Sequence, residues 1–187
     1  MQHLLQNIRA CQLCEGLPLG PRPILQASSA ARILIVGQAP GRITHAKGRP
    51  FDDLSGERLR NWLGVSREQF YDAKSFALVP MGFCFPGTGR GGDLPPRPLC
   101  AQTWRTKIMT ELESLQLTLV MGQYALAWHF PESTSSLTQL VRANTPDSKV
   151  IPLPHPSPRN GIWLKRNPWF EAEMLPLLRR RVAEALA

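Results

Sequence analysis

The stretch ILIVGQAPG, residues 33–41, decides the fold of this chain. Its first four residues are apolar and mostly β-branched, which predicts a strand buried on both faces, and Gly37 predicts a turn directly after it. Similar apolar runs occupy residues 76–81, 117–121 and 150–153, and helical patterns lie at residues 56–63, 100–115, 123–129 and 169–186. Because parallel strands need crossover connections, this alternation predicts an α/β fold, a single three-layer αβα domain with a central, mainly parallel four-stranded sheet.

The loops that follow these strands are the expected place of the functional site. Glycine and proline are concentrated in them: GQAPG follows the first strand, residues 82–84 (GFC) follow the second, and residues 155–160 (HPSPRN) follow the fourth. In parallel α/β folds, ligands bind outside the carboxyl ends of the strands. We therefore expect these three loops to form one site.

Chain length and net charge limit the number of domains and the class of binding partner. The length predicts one domain over residues 1–187, with the N-terminal cysteine-bearing segment, residues 1–30, packed on it, and we expect a monomer. A formal net charge of +8 and a pI near 9.9 favour a polyanionic partner such as nucleic acid, although a basic composition also serves solubility alone. No apolar run approaches the roughly 18 residues of a membrane span and no signal-peptide pattern opens the chain, so we expect a cytoplasmic protein without a membrane partner.

The cysteines form two separated pairs. Cys11 and Cys14 make a C-x-x-C motif, whereas Cys84 and Cys100 bracket a loop rich in glycine and proline. A reducing compartment disfavours disulfides, so metal binding, catalysis or burial must explain these positions. Four thiolates suit either an iron–sulfur cluster or a tetrahedral zinc ion, and the spacing leaves both open, together with unligated thiols.

Taken in order, these motifs resemble the uracil-DNA glycosylase superfamily, in particular its iron–sulfur families four and five. The resemblance runs nearly end to end and rests on the C-x-x-C opening, GQAPG, residues 47–51 (KGRPF), the two later cysteines and HPSPRN. It implies a repair enzyme that hydrolyses the N-glycosidic bond of uracil, or of other deaminated bases, in single- or double-stranded DNA and leaves an abasic site. It also implies a [4Fe–4S] cluster held by Cys11, Cys14, Cys84 and Cys100.

The resemblance implies roles for residues that contact the base. His155 donates a hydrogen bond to the uracil carbonyl as negative charge develops, and Phe51 stacks on the extruded base. The backbone amides of Gln38 and Ala39 approach the base in a glycine-flanked turn. Ordinary structural roles remain open for the same side chains: a core aromatic for Phe51, a loop histidine for His155 and a loop brace for Gln38.

The resemblance also implies a DNA-binding rim. Ser157 contacts phosphate, and Arg159 stands where the superfamily has an apolar wedge that enters the duplex, so it fills the gap by stacking or binds phosphate instead. Further contacts to the DNA backbone are expected from Asn160, Lys47, Arg49, Arg90, Lys165 and Arg166. The run at residues 179–181 (RRR) is expected to be a solvated helix face, with contact to DNA as its alternative role.

Water activation is where the chain departs from the resemblance. The aspartate of the best-known family is replaced by Ala39, and the acidic residues of family four are replaced by residues 42–45. Asp53 matches the family-five aspartate that is proposed to position or activate water, but it can equally cap the helix that follows. His45 is the reserve candidate, with a solvated loop position as its alternative.

A second departure concerns base selection. Pro80 stands where family four has an asparagine, and proline offers no side-chain amide to read the uracil edge. A broader range of damaged bases is therefore expected. Two other functions remain open: a superfamily member that binds DNA or modified bases with little or no cleavage, and a zinc-stabilised nucleic-acid-binding protein.

Overall fold

The fold is built on a parallel sheet with a small antiparallel hairpin beside it. A computed structural model of the chain describes residues 1–145 and 147–187. In this part of the chain the strands are β1 (Ile33–Val36), β2 (Phe76–Leu78), β3 (Thr88–Gly89), β4 (Gly92–Asp93), β5 (Leu117–Met121) and β6 (Val150–Leu153). The sheet has the order β2-β1-β5-β6 with every neighbouring pair parallel, and β3 pairs with β4 in the hairpin.

Helices connect the strands. They are α1 (Gln2–Arg9), α2 (Arg42–Lys47), α3 (Leu54–Leu63), α4 (Arg67–Phe70), α5 (Pro98–Glu111), α6 (Gln123–His129), α7 (Leu137–Arg142), α8 (Gly161–Arg166) and α9 (Leu175–Leu186). A 3₁₀ turn at Pro158–Asn160 precedes α8, and a π-helical segment at Phe170–Met174 leads into α9. Over the described ranges, no helix combines the length and apolar character needed to cross a membrane.

Alternate residues of β1 point to opposite faces of the sheet, and each face carries its own core. Ile33 and Ile35 pack in a cluster with apolar residues of α3 and α9. Leu34 and Val36 pack in a second cluster with apolar residues of α1 and α5. Because both faces are buried, the strand reads as a continuous apolar run. The predicted α/β fold, with helices on both sides of a four-stranded sheet, is confirmed.

The bounds of β1, β5 and β6 agree with the predicted runs, whereas β2 ends at Leu78, three residues early. The N–H of Val79 donates to the Ile35 carbonyl and the N–H of Met81 donates to the Gly37 carbonyl, each at 2.9 Å. Pro80 lies between them and has no N–H to donate. Pairing with β1 therefore continues past Leu78, and the missing N–H of Pro80 lies on the other edge of the strand, the edge on which Leu78 pairs with Gln26.

Candidate active site

A pocket of about 210 Å³ opens at the carboxyl ends of the strands. Its wall is formed by the loop after β1, the segment before α3, the loop after β2, the β3–β4 hairpin and the loop after β6. The lining residues are Ile24, Gly37, Gln38, Ala39, Pro40, Gly41, Thr44, Pro50, Phe51, Asp53, Ser55, Pro80, Asp93, His155, Ser157 and Arg159. The three strand-end loops that the sequence singles out thus meet in one cavity.

His155 enters the pocket from the loop after β6 as a neutral hydrogen-bond donor. Its Nδ1 accepts the backbone N–H of Ser157 at 3.1 Å, so the proton of the neutral ring is on Nε2. Burial lowers the pKa of His155, and the carboxylates of Asp53 and Asp93 act in the opposite direction. The side-chain amide of Asn160 donates to the His155 carbonyl at 3.0 Å and fixes the backbone of the same loop.

Phe51 lines the pocket from a left-handed backbone conformation. Its φ is 53°, and no other residue besides glycine has a positive φ in residues 1–145 and 147–187. Such a conformation costs about 1–3 kcal/mol and persists only where the surroundings hold it. Arg60 Nη1 donates to the Phe51 carbonyl at 3.2 Å, and the ring of Phe70 meets the Phe51 ring edge-on at 6.2 Å between centroids. The ring is therefore held at the pocket wall, partly exposed, as stacking on a flat base requires.

Gly56 makes this position of Phe51 possible. A Cβ placed on Gly56 would lie 2.6 Å from the carbonyl carbon of Phe51 and 2.9 Å from its Cβ, with the carbonyl oxygen nearer still. We expect Gly56→Ala to displace Phe51 and to lower the free energy of unfolding by about 3 kcal/mol, the upper range for overpacking a tight site. Denaturant unfolding followed by fluorescence or circular dichroism measures this loss.

Gly161→Ala is the matched control for Gly56→Ala. Gly161 is helical, with φ −57° and ψ −33°, and a Cβ there meets nothing within 4 Å. Alanine at such a position should leave stability unchanged or raise it by up to about 1 kcal/mol. Equal stability of Gly56→Ala and the unmodified chain would contradict the packing argument.

Asp53 caps α3 and faces the pocket at the same time. Its Oδ1 accepts the backbone N–H of Gly56 at 2.9 Å, which is the N-cap role that the sequence left open. The neighbouring Asp52 has a different role, because it pairs with Arg67 at 2.9 Å and with Lys47 at 3.8 Å. Of the two adjacent aspartates, Asp53 is the one in the pocket wall.

Gln38 and Ala39 both line the pocket, and the Gln38 side chain also braces the loop. A Cβ placed on Gly122, at the start of α6, would lie 2.6 Å from Gln38 Cγ. The Gln38 side chain therefore occupies the space that a side chain at position 122 would take. The carbonyls of Gly37 and Gln38 accept the N–H groups of Met81 and Gly82 at 2.9 and 2.8 Å. The turn is therefore fixed against the loop that follows β2.

Ser157 and Arg159 form the outer wall of the pocket. The Ser157 hydroxyl accepts the backbone N–H of Arg159 at 3.3 Å, and the Ser157 carbonyl accepts Arg58 Nη1 at 3.1 Å. Arg159 Nη1 lies 3.4 Å from the carbonyl of Gly91, in the turn between β3 and β4. Arg159 thus bridges the loop after β6 to the hairpin.

The other predicted DNA contacts do not line the pocket. Lys47 Nζ donates to the Asp52 carbonyl at 2.7 Å, and the Arg49 guanidinium lies 4.1 Å from the centre of the Tyr71 ring. Asn160 supports the His155 loop, as described above. These residues flank the site, and their contacts in the structure are with the protein itself.

One prediction about another basic group is wrong. His45 is neither solvated nor in the pocket: it is buried in α2, its ring lies 6.1 Å from that of Phe85, and its Nδ1 has no partner in the described part of the chain. It is therefore not placed as the reserve residue for activating water in this pocket. Arg179 and Arg180 are exposed, as predicted for residues 179–181, and the Nε and Nη2 of Arg179 also donate to the carbonyls of Trp62 and Asn61 at the end of α3.

A family model described as the Uracil DNA glycosylase superfamily matches residues 26–179. The chain belongs to this superfamily. The match includes all strands and most of the pocket wall, and it begins after Cys11 and Cys14. The resemblance drawn from the motifs is therefore confirmed at the level of the superfamily, and a DNA glycosylase type of function is supported.

Within this fold, the four cysteines are free, partly buried thiols, and each of the other three interacts electrostatically with Cys100. The pKa of Cys100 is raised to about 12, chiefly by burial and also by the nearby thiols of Cys14, Cys84 and Cys11, while the backbone N–H of Phe83 lowers it. The backbone N–H of Phe83 lies 3.4 Å from Cys100 Sγ. In the described residues, no group of three or more histidine, cysteine or acidic side chains is arranged so that it could hold a metal ion.

The N-terminal segment is fixed beside the later cysteines of the glycosylase domain. The amine of Met1 pairs with Glu111 in the last turn of α5, whose first turn carries Cys100. The Ile24 N–H donates to the Phe83 carbonyl at 2.8 Å, next to Cys84. The segment that carries Cys11 and Cys14 is therefore tied to the protein at both of its ends.

Asp93 is the main pocket residue that could not be predicted from the sequence. It ends β4 in the hairpin, in a loop that does not directly follow any predicted strand. The segment 87–93 (GTGRGGD) has four glycines, which is a turn signal, and it could have suggested the hairpin. Its approach to the strand-end loops depends on tertiary contacts and has no local sequence signal.

Proposed function

We propose that the chain is a monofunctional DNA glycosylase that releases uracil, and other deaminated bases, from DNA and leaves an abasic site. The observation that carries this proposal is the pocket in which a neutral His155, the ring of Phe51 and the carboxylate of Asp53 meet. A base-releasing enzyme needs a donor for the departing base, a flat surface for the extruded base and a carboxylate near the sugar. This superfamily member has one residue for each task.

The bond between the base and the sugar breaks with its electron pair leaving on the base. Negative charge then grows on the base oxygens, and Nε2–H of His155 is the donor that stabilises it. A neutral imidazole suits this task, because its Nδ1 stays bound to the Ser157 N–H while Nε2 donates. His155 therefore acts as a fixed hydrogen-bond donor throughout the reaction.

Asp53 is the proposed partner of the attacking water. One carboxylate oxygen is engaged by the N–H of Gly56, which fixes the orientation of the group. The other oxygen can accept a hydrogen bond from a water in the pocket. The cap and the catalytic role are compatible, since the helix terminus holds the carboxylate in place.

Pro80 supports a substrate range wider than uracil alone. It lines the pocket where family four has an asparagine, and it has neither an N–H nor a side-chain amide. Without that amide, the edge of the base is read by fewer specific hydrogen bonds. Hypoxanthine and xanthine, which share the carbonyl and N–H pattern of a deaminated base, are therefore proposed as further substrates.

We propose that Cys11, Cys14, Cys84 and Cys100 hold a [4Fe–4S] cluster, a group larger than the single metal ion for which the described residues offer no site. Support comes from the electrostatic proximity of the four thiols and from the backbone N–H donors of Arg22 at Cys84 and of Phe83 at Cys100. When bound, the cluster supplies a structural tie between the N-terminal segment and the pocket loops, and the hydrolysis requires no electron transfer. Every step of base release is assigned to protein side chains and water.

A base-release panel tests the proposed function. The purified chain is incubated with oligonucleotides that carry uracil, hypoxanthine or xanthine, single-stranded or mismatched, and with a thymine oligonucleotide as control. We expect free uracil and an alkali-labile abasic site, release of at least one purine base, and no release of thymine. Tight binding with no release of any base would instead identify a superfamily member that only binds DNA.

A further inference from the structure

The β3–β4 hairpin brings a second carboxylate to the pocket. Asp93, the last residue of β4, lines the cavity together with Gly41 and Arg159. A Cβ placed on Gly41 would lie 3.0 Å from Asp93 Oδ2, so the carboxylate rests against the backbone of the loop after β1. The contact is possible because Gly41 has no side chain.

Asp93 lies at the mouth of the pocket and not at its floor. Gly37 and Pro80 are buried or nearly so, whereas Asp93 and Arg159 are exposed. An extruded nucleotide enters with its base first, so its deoxyribose stays at the mouth. The residues at the mouth are therefore the ones that meet the sugar and its C1′ atom.

The carboxylate of Asp93 is available for this contact. Its closest polar side-chain partner is the Thr88 hydroxyl, at the long distance of 3.5 Å, and it makes no ion pair with any residue in ranges 1–145 and 147–187. Asp53, by comparison, has one oxygen committed to the α3 cap. Of the two pocket carboxylates, Asp93 is the less constrained.

A carboxylate at this position is expected to lower the affinity for DNA. The protein carries a net charge of +8, and the rim next to Asp93 includes Arg159. A negative group facing the phosphates repels them, so its removal should strengthen binding. The same negative charge stabilises a sugar that becomes positive in the transition state.

We propose that Asp93 is a catalytic residue that contacts the sugar and the attacking water from the open side of the pocket. This inference rests on the proposed function. Asp53, Asp93 and His155 line the same pocket, and both carboxylates are close enough to His155 to raise the pKa of its ring. Asp93 then faces the sugar while His155 faces the base.

In the proposed step, the bond between C1′ and the base nitrogen breaks, and its electron pair leaves with the base. The oxygen of one water, which Asp53 orients with its free carboxylate oxygen, forms a new bond to C1′ and gives up one proton, which passes to the Asp93 carboxylate and then to solvent. The released base takes up a proton from solvent, so no oxidant, reductant or further reactant is needed.

The test is single-turnover base release from uracil DNA by the intact chain and by Asp93→Asn, together with binding to DNA that carries a non-hydrolysable 2′-fluoro analogue of deoxyuridine. We expect Asp93→Asn to slow release by about 100-fold, and to bind the analogue as tightly as the unmodified chain or more tightly. Asp93→Glu, which keeps the charge, should recover part of the rate. Asp147→Asn is the control, because Asp147 is exposed in the loop before β6, at the opposite edge of the sheet.

Three outcomes would overturn the inference. An unchanged release rate for Asp93→Asn would remove Asp93 from the chemistry. A loss of binding in parallel with the rate would indicate that Asp93 only holds the hairpin in place. Absence of base release by the unmodified chain would refute the proposed function itself, and the inference with it.

Discussion

Replacing His155 by alanine should slow the release of uracil by about 100- to 1000-fold and leave the affinity for DNA nearly unchanged. The reason is that His155 supplies one hydrogen-bond donor to the base, its Nε2–H. The hydrogen bond from the Ser157 N–H to Nδ1 fixes the orientation of the ring. The hydrogen bond to the base strengthens as negative charge develops, so its loss affects the transition state more than the bound substrate. The carbonyl of His155 keeps its bond from Asn160 in the variant, which preserves the loop.

Single-turnover release under saturating enzyme, combined with a DNA-binding titration, separates these effects. His3→Ala serves as the control, because His3 is exposed on α1 and its ring contacts only the Asn7 side chain, at 3.3 Å. The control should release uracil at the rate of the unmodified chain. A His155→Ala variant that retains its rate, or that loses binding and rate together, would contradict the role of the donor.

The same residue sets an expectation for the pH dependence. Burial lowers the pKa of His155 below its usual 6.5, although Asp53 and Asp93 counteract this shift. Protonation of Nδ1 would break its bond from the Ser157 N–H, so the neutral ring is the working form. The contribution of His155 to release should therefore persist as the pH falls through 6.5, and be lost only at the lower pH where the buried ring takes up a proton.

The sheet could be predicted from the sequence because each central strand is buried on both faces and reads as an unbroken apolar run. Only β2 ends early, at Leu78, although Val79 and Met81 still donate to the carbonyls of Ile35 and Gly37. Shorter elements escaped prediction for a different reason. The β3–β4 hairpin consists of glycine-rich, exposed residues with no apolar alternation, so pairing and tertiary contact define it instead of a local pattern.

The candidate site likewise contains some residues that could be predicted from the sequence and others that could not. Loops that directly follow the predicted strands supply Gln38, Ala39, His155, Ser157 and Arg159, and topology alone brings their ends to one edge. Phe51 was predicted from the resemblance, and its positive φ has no sequence signal because it depends on Gly56 and Arg60. His45 was wrong as a candidate since a six-residue helix, α2, turns its side chain into the protein.

Cys100→Ser is the second substitution with a large expected effect, and it should remove bound iron and destabilise the protein. Burial raises the pKa of the Cys100 thiol to about 12, so the deprotonated sulfur is costly there unless a cation compensates it. The proposed cluster supplies that compensation and links residues that are far apart in the chain, such as Cys14 and Cys84. A link across such a span is expected to stabilise by about 4 kcal/mol through the entropy of the unfolded chain.

Iron and acid-labile sulfide per chain, absorbance near 400 nm and a thermal melt measure the effect in anaerobically purified protein. Ala101→Ser is the matched control, since it places the same hydroxyl at the buried neighbour of Cys100 and keeps all four thiols. The control should retain iron, whereas serine at any one of the four cysteines should lower both iron content and melting temperature.

One zinc ion per unmodified chain, or full stability with no bound metal, would contradict the cluster. A stable apo form is the stronger of these two results, because it would show that apolar packing suffices to hold the N-terminal segment. Leu5 and Ile8 of α1 already contribute to the core beside α5, so the segment before Cys11 has packing of its own. The cluster must therefore stabilise mainly the residues between Cys11 and Ile24. At the end of this stretch, the backbone hydrogen bond from the Ile24 N–H to the Phe83 carbonyl again holds the segment to the domain. Hydrogen exchange in that stretch, compared between unmodified and Cys100→Ser protein, should show the largest loss of protection.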